Sequence, residues 1–165
     1  MRAVATVASL SLILLAGATW APAPPSIEGT YKFVSRDMPD GSKLVPPAID
    51  GLITYANGYR NFNIYWKTPD GKAFSVSFAG TYQLTATQYT EKTIFFLAND
   101  GIGGKGATYD LTGASGSGPV TVAGTRISIH LPLHGEPDLV FDGNTLTANA
   151  KGPFGAFTDH WVKVQ

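Results

Sequence analysis

Four short turn signals, each set between runs of alternating apolar and polar residues, leave this chain little to fold into except antiparallel sheet. Asn57-Gly58 separates Leu52–Ala56 from Arg60–Lys67, and both turn residues tolerate the positive φ that a type I′ hairpin needs. Thr68-Pro69-Asp70-Gly71 follows, with Pro presetting φ at the first turn position and Gly supplying the left-handed one. Pro39-Asp40-Gly41 repeats that chemistry, and Asp142-Gly143 links Leu139–Phe141 to Thr145–Ala150. Hairpins in succession predict an up-and-down topology.

The runs between the turns alternate with period two, so each strand has one apolar face. Phe74, Val76 and Phe78 continue beyond Gly80 into Tyr82 and Leu84, with Ser75, Ser77 and Thr81 on the other face. The same pattern holds for Phe62, Ile64 and Trp66, and for Ile127, Ile129 and Leu131 against Arg126, Ser128 and His130. Strand segments are expected near 29–36, 51–57, 60–67, 72–84, 88–97, 107–111, 119–123, 125–131, 138–142, 144–150 and 156–164, some of them short. Gly80 inside a long strand suits a bend or bulge of the kind that closes a barrel. No segment beyond the N-terminus has helical periodicity, and Pro46–Asp50 is the best candidate for a single helical turn. Asp100–Gly106 and Gly113–Gly118 read as flexible loops. The expected fold is an all-β, antiparallel, up-and-down β-barrel of about eight to ten strands.

The N-terminus reads differently. Arg2, an uncharged run Ala3–Ala18 and the small residues Ala16-Gly17-Ala18 have the layout of a secretory signal peptide, with a run too short for a comfortable membrane span. Residues 1–21 are read as the signal, with cleavage near 18–21, residues 22–26 as a Pro-rich spacer, and 27–165 as the barrel domain. About 144 residues then remain, enough to bury roughly two thirds of the unfolded surface in one core. A secreted or periplasmic protein is expected, with no integral membrane segment in the mature chain. The chain has no Cys, so packing and a closed strand ladder must replace the disulfides common in small exported folds. Twelve basic and twelve acidic residues balance without a basic block, which argues against nucleic acid or an anionic membrane surface as partner.

Gly29-Thr30-Tyr31-Lys32-Phe33-Val34-Ser35-Arg36, then Asp40-Gly41, Pro46-Pro47, Gly51-Leu52-Ile53-Thr54-Tyr55 and Gly58-Tyr59, resemble the bacterial and fungal lipocalin-like domain family, a branch of the calycin barrels. Asp159-His160-Trp161-Val162-Lys163-Val164 is similar to that family's closing strand. The resemblance spans about residues 27–164 and implies a barrel of eight or more strands around an internal cavity. Tyr31 stands where the family typically has Trp, and no Arg lies in the final strand to cover it; Lys163 is the residue placed to take that part. The resemblance implies that the first and last strands are neighbours, with Tyr31, Trp161 and Lys163 meeting at one end.

The inward rings suggest what the barrel does. Tyr55, Phe62, Ile64, Trp66, Phe74, Val76, Phe78, Tyr82, Phe95 and Phe141 are the expected ligand-binding residues, because a barrel of this size either fills with side chains or holds one small ligand. The partner expected is a small hydrophobic or amphipathic molecule, with no cofactor. One alternative is a cofactor-free isomerase or cyclase using His130, Arg126 or Glu91 inside the barrel. These charges are expected to face outward, because Ile127, Ile129 and Leu131 need burial more. A second alternative is a structural or adaptor module with a filled interior.

His130 and His134, with Glu136 and Asp138, have the residue types of a metal site, but residues four apart on a strand lie about 13 Å from each other. A solvated rim is expected there, and no metal. His160 is read as a strand-end residue. Gly113-Ala114-Ser115-Gly116-Ser117-Gly118 is no nucleophile elbow, and Gly103-Gly104-Lys105-Gly106 is no phosphate-binding loop, because neither Ser nor Thr follows the Lys.

Overall fold

A computed structural model describes residues 24–152 and 155–164. It contains twelve strands: β1 (Gly29–Asp37), β2 (Lys43–Leu44), β3 (Ile49–Ala56), β4 (Tyr59–Lys67), β5 (Ala73–Leu84), β6 (Gln88–Asp100), β7 (Gly106–Asp110), β8 (Ser115–Ala123), β9 (Arg126–His130), β10 (Asp138–Asp142), β11 (Thr145–Gly152) and β12 (Gly155–Lys163). All pairings are antiparallel. Ten strands close a barrel in the order β1, β3, β4, β5, β6, β8, β9, β10, β11, β12, with β12 paired back onto β1. The short β2 flanks β1, and β7 pairs the distal half of β6. Among the described residues no helix is long and apolar enough to cross a membrane. The signal peptide assigned to residues 1–21 lies outside the described residues, as does the start of the spacer.

The turns follow their local chemistry. Asn57 and Gly58 have φ of 51° and 76°, and Gly71 and Gly41, both at φ 83°, donate their amides to the Thr68 and Met38 carbonyls. Pro46–Asp50 is not helical: residues 46–48 make a turn and β3 begins at Ile49. Asp100–Gly106 is a compact turn, because the Asp100 side chain and carbonyl accept from the Gly103 and Lys105 amides. The Gly-rich segment expected as a loop at Gly113–Gly118 is largely strand β8. A Cβ on Gly116 would meet Pro132 and Leu133, and one on Gly118 would strike the His130 carbonyl. Those glycines exist to admit the chain of 130–133, not to make β8 flexible.

The register of β5 and β6 shifts between Ala79 and Gly80, whose partners are Phe95 and Thr93. Gly80 thus marks a bulge, as expected, and the extra residue is Ile94 on β6. The bulge reverses side-chain parity. Tyr89, Glu91 and Thr93 point inward before it, whereas Phe96, paired with inward Phe78, does so after it.

The first and last strands are neighbours, with Tyr31 opposite Lys163 and Phe33 opposite Trp161. Tyr31, Phe33 and Trp161 are buried. The entry end of the barrel, where β1 starts, is covered by the chain leading into it: Ile27 is buried, its carbonyl accepts from the Tyr31 hydroxyl at 3.2 Å, and the Glu28 carboxylate accepts from the Asn57 amide.

Candidate functional site

The inner wall is aromatic, and its rings touch edge to face, the arrangement their quadrupoles favour. Tyr31 meets Phe141 at 5.5 Å, Phe141 meets Tyr55 at 5.6 Å and Tyr55 meets Tyr82 at 5.2 Å, while Trp161 sits against Phe33 and Phe62. Of the ten expected ligand-binding residues, Tyr55, Phe62, Ile64, Trp66, Phe74, Val76, Phe78, Tyr82 and Phe141 occupy inward register positions. Phe95 does not. It pairs with Ala79 on the outer face, because the Ile94 bulge moves it out of phase.

Beneath these rings lies a charged centre. Arg60 on β4 is in phase with Phe62 and Ile64, so its side chain enters the barrel and is 2% exposed. Its Nη1 donates to Glu91 Oε2 and to Glu136 Oε2, both at 3.0 Å, and Nη2 donates to Glu136 Oε1 at 2.5 Å. The Tyr89 hydroxyl donates to Glu91 Oε2 at 2.9 Å. The guanidinium carbon lies 4.5 Å from the Phe78 ring centroid and 5.9 Å from that of Phe62. Three buried atoms here, Tyr55 Oη, Arg60 Nε and Glu91 Oε1, have no hydrogen-bond partner among the described residues.

One guanidinium faces two carboxylates, and burial penalises every charge. Desolvation pushes the Glu91 carboxyl above its usual range, against the pull of Arg60. Because Oε2 already accepts two hydrogen bonds, a proton taken up by Glu91 goes to Oε1. Desolvation also raises the hydroxyls of Tyr55 and Tyr89, and that of Tyr82 to about 12, so all three stay neutral.

Glu136 reaches this centre from the β9–β10 connection rather than from a strand. Two successive left-handed residues, His134 at φ 57° and Gly135 at φ 64°, turn the chain so that Glu136 points inward. His134 is not on a solvated rim as expected. Its ring stacks on Phe96 at 4.1 Å and its Nε2 lies 3.1 Å from the Thr93 hydroxyl. His130 does face solvent, 2.6 Å from Asp138, and His160 bonds Asp37 on the outer face.

The three acid–base candidates therefore separate. Arg126 and His130 are exposed, which removes a proton-transfer reading that rests on them. Glu91, expected to face outward with them, is instead 2% exposed inside the barrel.

Among the described residues, two depressions open to solvent flank the barrel wall. One, of about 830 Å³, is a cleft at the entry end lined by Pro24, Tyr31, Leu84, Val122, Ile127 and Phe141 among others. Of its lining residues, Tyr31 touches Phe141, Phe141 touches Tyr55, and Tyr55 stands opposite Arg60 in the β3–β4 register. The other, of about 700 Å³, is a groove on the outer face that includes Lys32, Leu52, Tyr65, Ser75 and Ser77. Ser75 and Ser77 lie outside, on the face of β5 opposite the rings, as their alternation with Phe74, Val76 and Phe78 implies. Comparison with known proteins finds no matching family model, no matching curated protein and no matching solved structure.

Proposed function

We propose that this chain is an exported, lipocalin-like binding protein that takes up a small apolar or amphipathic molecule through the entry-end cleft. The observation that carries this reading is the Arg60 centre within an aromatic wall. Burying an ion cluster forfeits several kcal/mol of hydration per charge, and well-packed apolar side chains of similar volume are often as stable or more so. Stability alone does not explain the cluster. An apolar interior with a few convergent polar groups is, however, the usual make-up of a small-molecule site. The secreted or periplasmic setting rests on residues 1–21 and belongs to the same proposal.

Trp66 and Trp161 report on the interior. Titration with fatty acids, isoprenoids and aromatic probes is expected to give a saturable change in tryptophan emission and a rise in melting temperature for at least one class. A panel that moves neither counts against binding and in favour of a structural module with a filled barrel.

A second reading, acid–base conversion of the bound molecule, is favoured by the buried Glu91 carboxyl with its open Oε1. Glu91→Gln would then retain binding and end turnover.

A further inference from the structure

The Arg60 centre is asymmetric in how its two carboxylates are held. Glu91 is fixed on β6, inside the barrel ladder, and shares its Oε2 between Arg60 and Tyr89. Glu136 is carried by a seven-residue connection, Leu131–Pro137, between β9 and β10. That connection is held by burial of Leu131, by His134 against Phe96 and Thr93, and by the two-point contact of Glu136 with Arg60. A fork-to-fork guanidinium–carboxylate pair is the geometry by which an Arg receives a ligand carboxylate.

We infer that Arg60 is the receptor for a ligand's carboxylate, and that Glu136 is its built-in occupant, which the ligand displaces together with the β9–β10 connection. The inference rests on the binding reading and specifies the ligand class: a small amphipathic monocarboxylate. Its carboxylate meets Arg60 and its apolar part lies along Phe62, Phe78 and the rings between Tyr55 and the entry end. Charge selects a monoanion. With Glu136 gone, a single carboxylate restores the charge balance beside Glu91, whereas a dianionic phosphate would add one more negative charge to a buried site. Arg60 Nε and Tyr55 Oη, both buried without a partner, are further donors within the same centre.

The test is isothermal titration of the full-length chain, at one fixed pH, with dodecanoate and with dodecanol, which share a tail and differ in the head. Glu136→Gln keeps the size of the side chain and removes its charge. It is expected to bind dodecanoate about tenfold tighter than the unsubstituted chain, the scale of one charge-assisted contact, with dodecanol affinity changed by less than about twofold. Equal affinity for dodecanoate in both chains, or an equal gain for both probes, overturns the receptor assignment.

Hydrogen exchange on the unsubstituted chain decides independently of any variant. Saturating dodecanoate should speed exchange in residues 131–137 and dodecanol should not; unchanged or slower exchange with dodecanoate overturns the displacement. Dodecanol binding without any preference for dodecanoate removes the receptor and leaves the binding reading standing. If neither probe binds either chain, the receptor assignment falls, and the binding reading is decided by the isoprenoid and aromatic probes of the wider panel.

Discussion

Tyr31 on β1 stands directly opposite Lys163 on β12 across the seam that closes the barrel, with the Lys163 ammonium 5.9 Å from the centroid of the Tyr31 ring. The ring is buried against Phe141, and its hydroxyl ties down the chain at Ile27. Tyr31→Ala removes a large core side chain where the strand ladder closes, and is expected to destabilise by about 3 kcal/mol in urea denaturation. A loss below about 1 kcal/mol, the range of ordinary surface changes, would show that the seam does not depend on this ring.

The charged centre makes a prediction with opposite signs for single and multiple substitutions. Arg60→Met leaves Glu91 and Glu136 buried without their cation, and should cost about 3–5 kcal/mol. Adding Glu91→Gln and Glu136→Gln to Arg60→Met removes the stranded charges and should recover a substantial part of that loss. Denaturation midpoints of the single and triple variants check this, and a triple variant less stable than Arg60→Met would contradict it.

Glu91 also sets a pH dependence. Its carboxyl is raised above the ordinary value of 4.5 by burial, so the folded state holds this proton more tightly than the unfolded chain. Stability from this group is complete below the unfolded value and is lost as pH rises through the folded one. Asp159, raised by burial against Arg36, acts in the same direction. The surface carboxyls of Asp37, Asp40, Asp70 and Asp110 are lowered by hydrogen bonds and act below the usual Asp range. Glu91→Gln should therefore flatten the fall in melting temperature above the usual Glu range. An unchanged slope would mean that Glu91 is ionised in the folded protein at no energetic penalty.

The β8 glycines give a purely steric prediction. Gly118→Ala drives a methyl group into the His130 carbonyl and should destabilise by about 1–3 kcal/mol, as overpacking does. Ser117→Ala, one residue away on the exposed face, should change stability by less than about 0.5 kcal/mol. Equal effects in thermal melts would show that β8 does not pack tightly on β9.

What was legible in the sequence was local. Asn57-Gly58 and the Pro-Asp-Gly turns encode their own backbone, and alternation along β4 and β5 places the inner rings without reference to any partner strand. Phe95 was misplaced because the bulge at Ile94 is a property of the β5–β6 pair, and a one-residue insertion flips every later side chain. The charged centre left a partial signal. Arg60 is in phase with Phe62, Ile64 and Trp66, and Glu91 is in phase with Tyr89 and Thr93, so parity alone puts both inside. Glu136 left none, because a loop has no phase and its partner lies 76 residues away in sequence. Gly116 and Gly118 mimic a linker in composition; the chain they must admit becomes apparent only once β8 and β9 are side by side.

The proposed binding mode puts a small molecule inside the barrel, between the entry-end cleft and Arg60. Amide and side-chain chemical-shift mapping of the isotope-labelled chain, titrated with dodecanoate, locates the bound molecule residue by residue. Saturable shifts concentrated at Tyr31, Tyr55, Arg60, Tyr89, Glu91 and Phe141 are expected. Shifts confined to Lys32, Leu52, Asn63 and Tyr65, which line the groove on the outer face, would contradict it.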